Sequence, residues 1–156
     1  MAELIVIHGI SLPPGKYGGP EIEALFTNTL DPDAHPYFAE MSGLEVSAHF
    51  LVRRAGEVVQ FVSTDARSWH AGVSCWQGRE QCNDFSIGIE LEGCDDEAYT
   101  DTQYDALNQL LAALTKQYPD IRHDAIVGHS DIAPGRKTDP GPTFDWSRIV
   151  ASQSQQ

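Results

Sequence analysis

Two of the six histidines, His8 and His129, follow short apolar runs, Leu4-Ile5-Val6-Ile7 and Ala125-Ile126-Val127-Gly128. Each run reads as a buried strand that delivers its histidine at the carboxyl end, where side chains emerge from a sheet into loops. Asp139 stands ten positions beyond His129 on a Pro- and Gly-rich loop, Ile132 to Pro142, long enough to fold back on the same point. Two imidazoles and one carboxylate make a catalytic rather than a structural zinc set, because three protein ligands leave the fourth tetrahedral position open for water. Zinc lowers the pKa of that water from about 15.7 to about 7 and so supplies hydroxide at neutral pH. Spacing alone leaves a second reading open. A histidine after a strand also serves as a hydrogen-bonded edge residue, and the dispersed spacing lacks the signature of H-E-x-x-H.

Glu90 closes the apolar segment Ile87-Gly88-Ile89, a place that does not welcome a carboxylate without a role. There it could take a proton from an activated water and pass it to a leaving nitrogen. Glu92 shares its strand face at i+2 and reads as an ordinary charge where the strand meets solvent. Lys137, two positions before Asp139, is either an oxyanion stabiliser facing the metal or a solvated loop charge. Trp69-His70-Ala71-Gly72 places an aromatic and an imidazole side by side, as a groove wall or as packing over the sheet edge. His49 reads as a buried, hydrogen-bonded support and is the rival zinc ligand, whereas His35 and His123 read as surface residues.

These residues must be positioned by mixed elements. Pro20 suits the first turn of a short helix with Ile22, Leu25 and Phe26 on one face. Ser47 to Val62 reads as a hairpin around Ala55-Gly56, and Ser86 to Leu91 as a strand in which Gly88 marks close approach of a neighbouring backbone. Thr100 and Gln103 form a capping box ahead of a stripe of Tyr104, Leu107, Leu110, Leu111, Leu114 and Tyr118, which Pro119 ends. A short helix is expected near Phe144 to Val150. The fold class is α/β: one domain over residues 1–150, a central mixed sheet flanked by helices, then a frayed Ser/Gln tail over 151–156.

Composition narrows the partners. With 10 basic and 23 acidic residues the formal charge is −13, a surface that repels phosphate backbones and anionic lipid. No nucleic-acid or membrane partner is expected. Cys75, Cys82 and Cys94 are odd in number and lack metal-ligand spacing, so they read as reduced thiols of a cytoplasmic protein, although a Cys75–Cys82 bridge stays open. The opening Met1-Ala2-Glu3 followed by only four apolar residues shows no export signal.

The segments His8 to Gly15, Val46 to Leu51, Trp69 to Ser74, Asn83 to Gly93 and Gly128 to Pro142 together resemble the AmpD amidases. These are the cytosolic 1,6-anhydro-N-acetylmuramoyl-L-alanine amidases of peptidoglycan recycling, within the amidase-2 group that shares its fold with peptidoglycan recognition proteins. The resemblance runs from about Leu4 to about Ile149. It implies one zinc ion at His8, His129 and Asp139, Glu90 as general base then acid, Lys137 as transition-state stabiliser, Trp69 along the substrate groove, and His49 as a support only. It implies a muropeptide substrate cut between the lactyl group and L-alanine, and a monomer is expected. Three features depart from the family: the segment of a few dozen residues that relatives usually carry before the first strand is not seen here, Gly9 stands where Asn is common, and Ser130 replaces a frequent Cys. Glu45 and Gln81 occupy positions where some relatives carry arginines for peptide carboxylates, and Gln81 is taken with Trp69 as a substrate-binding position. The competing functions are cleavage of intact peptidoglycan, a muropeptide-binding module without activity, and a metal-free glycosidase using Glu90 and Glu92.

Overall fold

The computed structural model describes residues 1–41 and 43–150; the tail expected over 151–156 lies outside the described residues. The strands are β1 (Leu4–Ile10), β2 (Phe50–Val52), β3 (Val58–Gln60), β4 (Cys75–Trp76), β5 (Arg79–Glu80), β6 (Ser86–Glu92) and β7 (Ile126–Gly128). Five of them form one sheet in the order β3-β2-β6-β1-β7, and β4 pairs with β5 in a separate hairpin. β1 is parallel to both β6 and β7, β2 is parallel to β6, and only the β2–β3 pair of this sheet is antiparallel. Parallel strands are covered on both faces and carry continuous apolar runs, which is why Leu4, Ile5, Val6 and Ile7 are wholly buried.

Helices cover the two faces. α1 (Glu21–Phe26) and α2 (Pro36–Glu40) pack Ile22, Leu25, Phe26 and Phe38 with Leu12, Ala48 and Leu51. α3 (Asp101–Gln117) packs Tyr104, Leu107, Leu111 and Leu114 with Ile87, Ile89, Leu91, Phe50 and Val52. Its start is the expected capping box: Gln103 N–H donates to Thr100 Oγ1 and Thr100 N–H to Gln103 Oε1, each at 3.1 Å. Leu110, expected in the stripe, is only partly buried. α4 (His129–Ile132) is a single turn directly after β7.

The alternation along β6 sorts chemistry from core. Ile87, Ile89 and Leu91 join the α3 layer, while Ser86, Gly88, Glu90 and Glu92 turn to the opposite face. His8 is the register partner of Glu90, so the two side chains share that face.

Four expectations change. His8 lies within β1 rather than beyond it, because pairing with β6 continues through Gly9 and Ile10. The close neighbour of Gly88 is a side chain, not a backbone: a Cβ there would lie 2.4 Å from His70 Cγ. His35 is not idle on the surface but caps α2, accepting a hydrogen bond from Tyr37 N–H at 3.0 Å. The C-terminal helix is reduced to a 3-10 turn at Trp146–Arg148.

Glu92 is the fifth correction. Its side chain is only 2% exposed and accepts from Arg53 Nη1 at 3.0 Å, Arg54 N–H at 3.2 Å and Gly18 N–H at 2.8 Å. It ties the loop after β1 to the sheet and is not free to act as a partner carboxylate for Glu90. Removing one partner of a buried ion pair costs about 3–5 kcal/mol, whereas an exposed pair is worth about 0–1 kcal/mol. Glu92→Ala is therefore expected to lower unfolding free energy by about 3–5 kcal/mol in urea titrations, and Glu23→Ala, at the half-exposed end of the same arginine, by no more than about 1 kcal/mol. Equal losses would contradict this assignment.

Candidate metal centre

His8 projects from the middle of the sheet, and His129 opens α4 at the end of the neighbouring β7. The loop carrying Asp139 is drawn back to that helix by a hydrogen bond from Ser130 N–H to the Asp139 carbonyl at 3.0 Å. Three atoms converge as a result. His8 Nδ1 and His129 Nδ1 are 3.0 Å apart, His8 Nδ1 and Asp139 Oδ2 3.4 Å, and His129 Nδ1 and Asp139 Oδ2 3.2 Å. Ligands of a tetrahedral zinc ion with bonds of about 2.0–2.1 Å lie about 3.3 Å from one another, and these three edges bracket that value. Among the described residues they are the group of His, Cys, Asp and Glu side chains able to hold a metal ion.

Hydrogen-bond logic agrees with the distances. His129 Nε2 faces the Ala71 carbonyl at 3.0 Å and must donate, so neutral His129 turns a lone pair toward Asp139 and His8. A lone pair aimed at a carboxylate is favourable only with a cation between them. Burial holds His8 neutral, lowering its pKa to about 4 despite the opposing pull of the Asp139 carboxylate, and a ligating imidazole must be neutral. Burial opposes ionisation of Asp139, but its interactions with His129 and His8 outweigh it and hold the group far below the usual carboxylate range.

Glu90 Oε1 lies 3.7 Å from His8 Nδ1. Desolvation, reinforced by the negative charge of Asp139, pushes its pKa well above the ordinary value, and Lys137 pulls it back. Lys137 is close enough to act on Glu90 and His8 electrostatically and lines the same groove. That groove encloses roughly 580 Å³ and reaches from Leu12 and Tyr37 past the converging ligands to Trp69 and Arg136. Trp69 lines the groove and is 56% exposed, with the Arg67 guanidinium over its ring, 4.2 Å from the centroid.

Other positions separate from the site. Gln81 is not part of the groove wall: it follows β5 in left-handed backbone, φ 56°, and leads into the 3-10 turn Cys82–Asp84. Glu45 lines a second, smaller pocket with Phe38 and Met41. His49 is occupied on both ring nitrogens, donating from Nε2 to the Ala66 carbonyl at 2.8 Å and accepting Gly88 N–H at Nδ1 at 3.1 Å, and is a support. The three cysteines are free thiols. His70, by contrast, belongs to the site: it lines the groove as expected, is largely buried, and reaches His8, its Nδ1 2.9 Å from His8 Nε2. Residue type marked it in the sequence, but nothing local reveals a partner 62 positions away.

The N-acetylmuramoyl-L-alanine amidase family profile matches residues 2–142. The chain is 65% identical over 148 residues to the 1,6-anhydro-N-acetylmuramyl-L-alanine amidase AmpD of Enterobacter cloacae, covering 95% of this chain and 79% of that protein. It superposes on a selenomethionine AmpD crystal structure with a TM-score of 0.94 at 62% identity, covering 97% of this chain and 84% of that one. It is also similar, at 28% identity and a TM-score of 0.72, to Escherichia coli AmiD solved with the substrate anhydro-N-acetylmuramic acid-L-Ala-D-γ-Glu-L-Lys, covering 97% of this chain and 57% of that one. With a matching profile over most of its length and this depth of identity, the chain belongs to the N-acetylmuramoyl-L-alanine amidase family and is an AmpD-type amidase.

Proposed function

We propose that this enzyme hydrolyses the amide between the lactyl group of 1,6-anhydro-N-acetylmuramic acid and L-alanine of the stem peptide, with one zinc ion held by His8, His129 and Asp139. The observation that carries the metal reading is the set of three ligand separations, 3.0, 3.4 and 3.2 Å, around one point in the groove. When bound, the ion supplies Lewis acidity that polarises the scissile carbonyl and acidifies the attacking water. Glu90 takes the proton that this water loses and returns it to the departing amine; its desolvated, high-pKa carboxyl suits both transfers. Lys137 offers its ammonium to the developing oxyanion. Trp69 stacks on sugar or peptide at the groove wall, and Gln81, outside that wall, is left out of the substrate contacts.

The reading takes residues 1–150 as the catalytic domain, acting as a cytoplasmic monomer on soluble recycled fragments. Its support is that the charge of −13 disfavours anionic surfaces. Among the described residues no helix is long and apolar enough to cross a membrane. The glycosidase alternative loses its second carboxylate to the arginine pair around Glu92.

Mass spectrometry of peptide released from anhydro-muropeptide and from whole sacculi, with and without chelator, tests this. Release from the small fragment, abolished by chelation and restored by zinc, is expected to exceed release from sacculi. Chelator-resistant release, cleavage between sugars, or a preference for sacculi contradicts the reading. Glu90→Gln should retain stoichiometric zinc while turnover falls by about 10²–10⁴-fold; unchanged turnover removes Glu90 as the base.

A further inference from the structure

His70 lies buried behind His8 and has no part in the steps above. Its hydrogen bonds run in one direction. Ser86 Oγ is 2.6 Å from the Cys82 carbonyl and gives its single hydrogen there. Toward His70 Nε2, 3.0 Å away, Ser86 can then only accept, so His70 carries its hydrogen on Nε2. Neutral His70 presents a lone pair at Nδ1, 2.9 Å from His8 Nε2. That contact places a hydrogen on His8 Nε2 and leaves His8 Nδ1 bare, facing His129 Nδ1 and Asp139 Oδ2. The tautomer of His8 is thus dictated from outside inward, beginning at a main-chain carbonyl.

Two further contacts hold His70 in this place. Asn83 Oδ1, itself buried, accepts from His70 N–H at 3.1 Å and from Ala71 N–H at 2.8 Å. The Ala71 carbonyl in turn accepts from His129 Nε2, so one clamped dipeptide meets the outer nitrogens of both histidines. The imidazole also lies close against β6 at Gly88, where a Cβ would collide with Cγ at 2.4 Å and with Cδ2 and Nδ1 at 2.7 Å.

We propose that His70 is a positioning residue for the metal centre: its Nδ1 accepts from His8 and locks that ring in the tautomer able to bind the ion, while Asn83 braces His70 and Ala71 against both ligands. This rests on the metal reading given under Proposed function. Metal-binding histidines hand their second N–H to a carboxylate, a carbonyl or water, and loss of such a partner typically weakens metal binding about 10–100-fold. At His129 the partner is a carbonyl; at His8 it is a neutral imidazole.

Zinc affinity measured by competition with a chromophoric chelator tests the proposal without reference to turnover. His70→Phe keeps a ring but has no acceptor and is expected to bind zinc about 10–100-fold more weakly. His70→Asn, whose side-chain carbonyl can accept from His8 Nε2, should recover most of that loss. Long-range ¹H–¹⁵N spectra of the wild-type protein, which depend on no variant's folding, should show His8 and His70 both protonated at Nε2. Wild-type affinity in His70→Phe, no recovery in His70→Asn, or a hydrogen on His70 Nδ1 overturns the proposal. Wild-type protein that retains no zinc overturns the metal reading itself, a result distinct from weakened binding confined to the Phe variant.

Discussion

Parallel pairing of β1 with β6 on one side and β7 on the other is the constraint on which the site depends. It puts His8 level with Glu90 across one strand boundary and beside the start of α4, where His129 stands, across the other. The aliphatic residues that bury β1 and β6 hold this register, since a slip by one residue would turn His8 and Glu90 into the α3 layer. Core packing and catalytic geometry are therefore enforced by the same interstrand contacts. Asp139 is the ligand farthest from the sheet, and it is held by main-chain hydrogen bonds at Ser130 and Gly9.

Electrostatics follows from that placement. Burial removes water from His8, His70 and Glu90 together, which keeps the imidazoles neutral and the Glu90 carboxyl weakly acidic. Asp139, only partly deprived of water, is held ionised because its interactions with the two imidazoles outweigh the burial that opposes its charge. Neutral nitrogens with one fixed negative charge form a site suited to a single dication with a place left for water and substrate. The opening toward Trp69 and Lys137 gives that place access from solvent.

Much of this was legible along the chain. His8 and His129 each follow an apolar run, and Thr100 with Gln103 announces α3 by its capping chemistry. Asp139 was accessible through its resemblance to a known loop, because spacing alone left other uses open. The alternation Ser86, Gly88, Glu90, Glu92 against Ile87, Ile89, Leu91 was present in the sequence, but the apolar character of the run obscured it. The burial of Glu92 was not legible, since its partners Arg53 and Gly18 lie 39 and 74 positions away. The five residues of α2 are too few to show helical periodicity, and neither the left-handed backbone of Gln81 nor its place outside the groove wall is signalled by residue type.

X-ray absorption at the zinc K edge of the purified enzyme tests the central claim most directly. The account predicts one ion per chain with two imidazole nitrogens at about 2.0–2.1 Å and oxygen at about 2.0–2.2 Å. A sulfur scatterer at about 2.3 Å, which would recruit a cysteine, or a spectrum with no imidazole contribution, would contradict it.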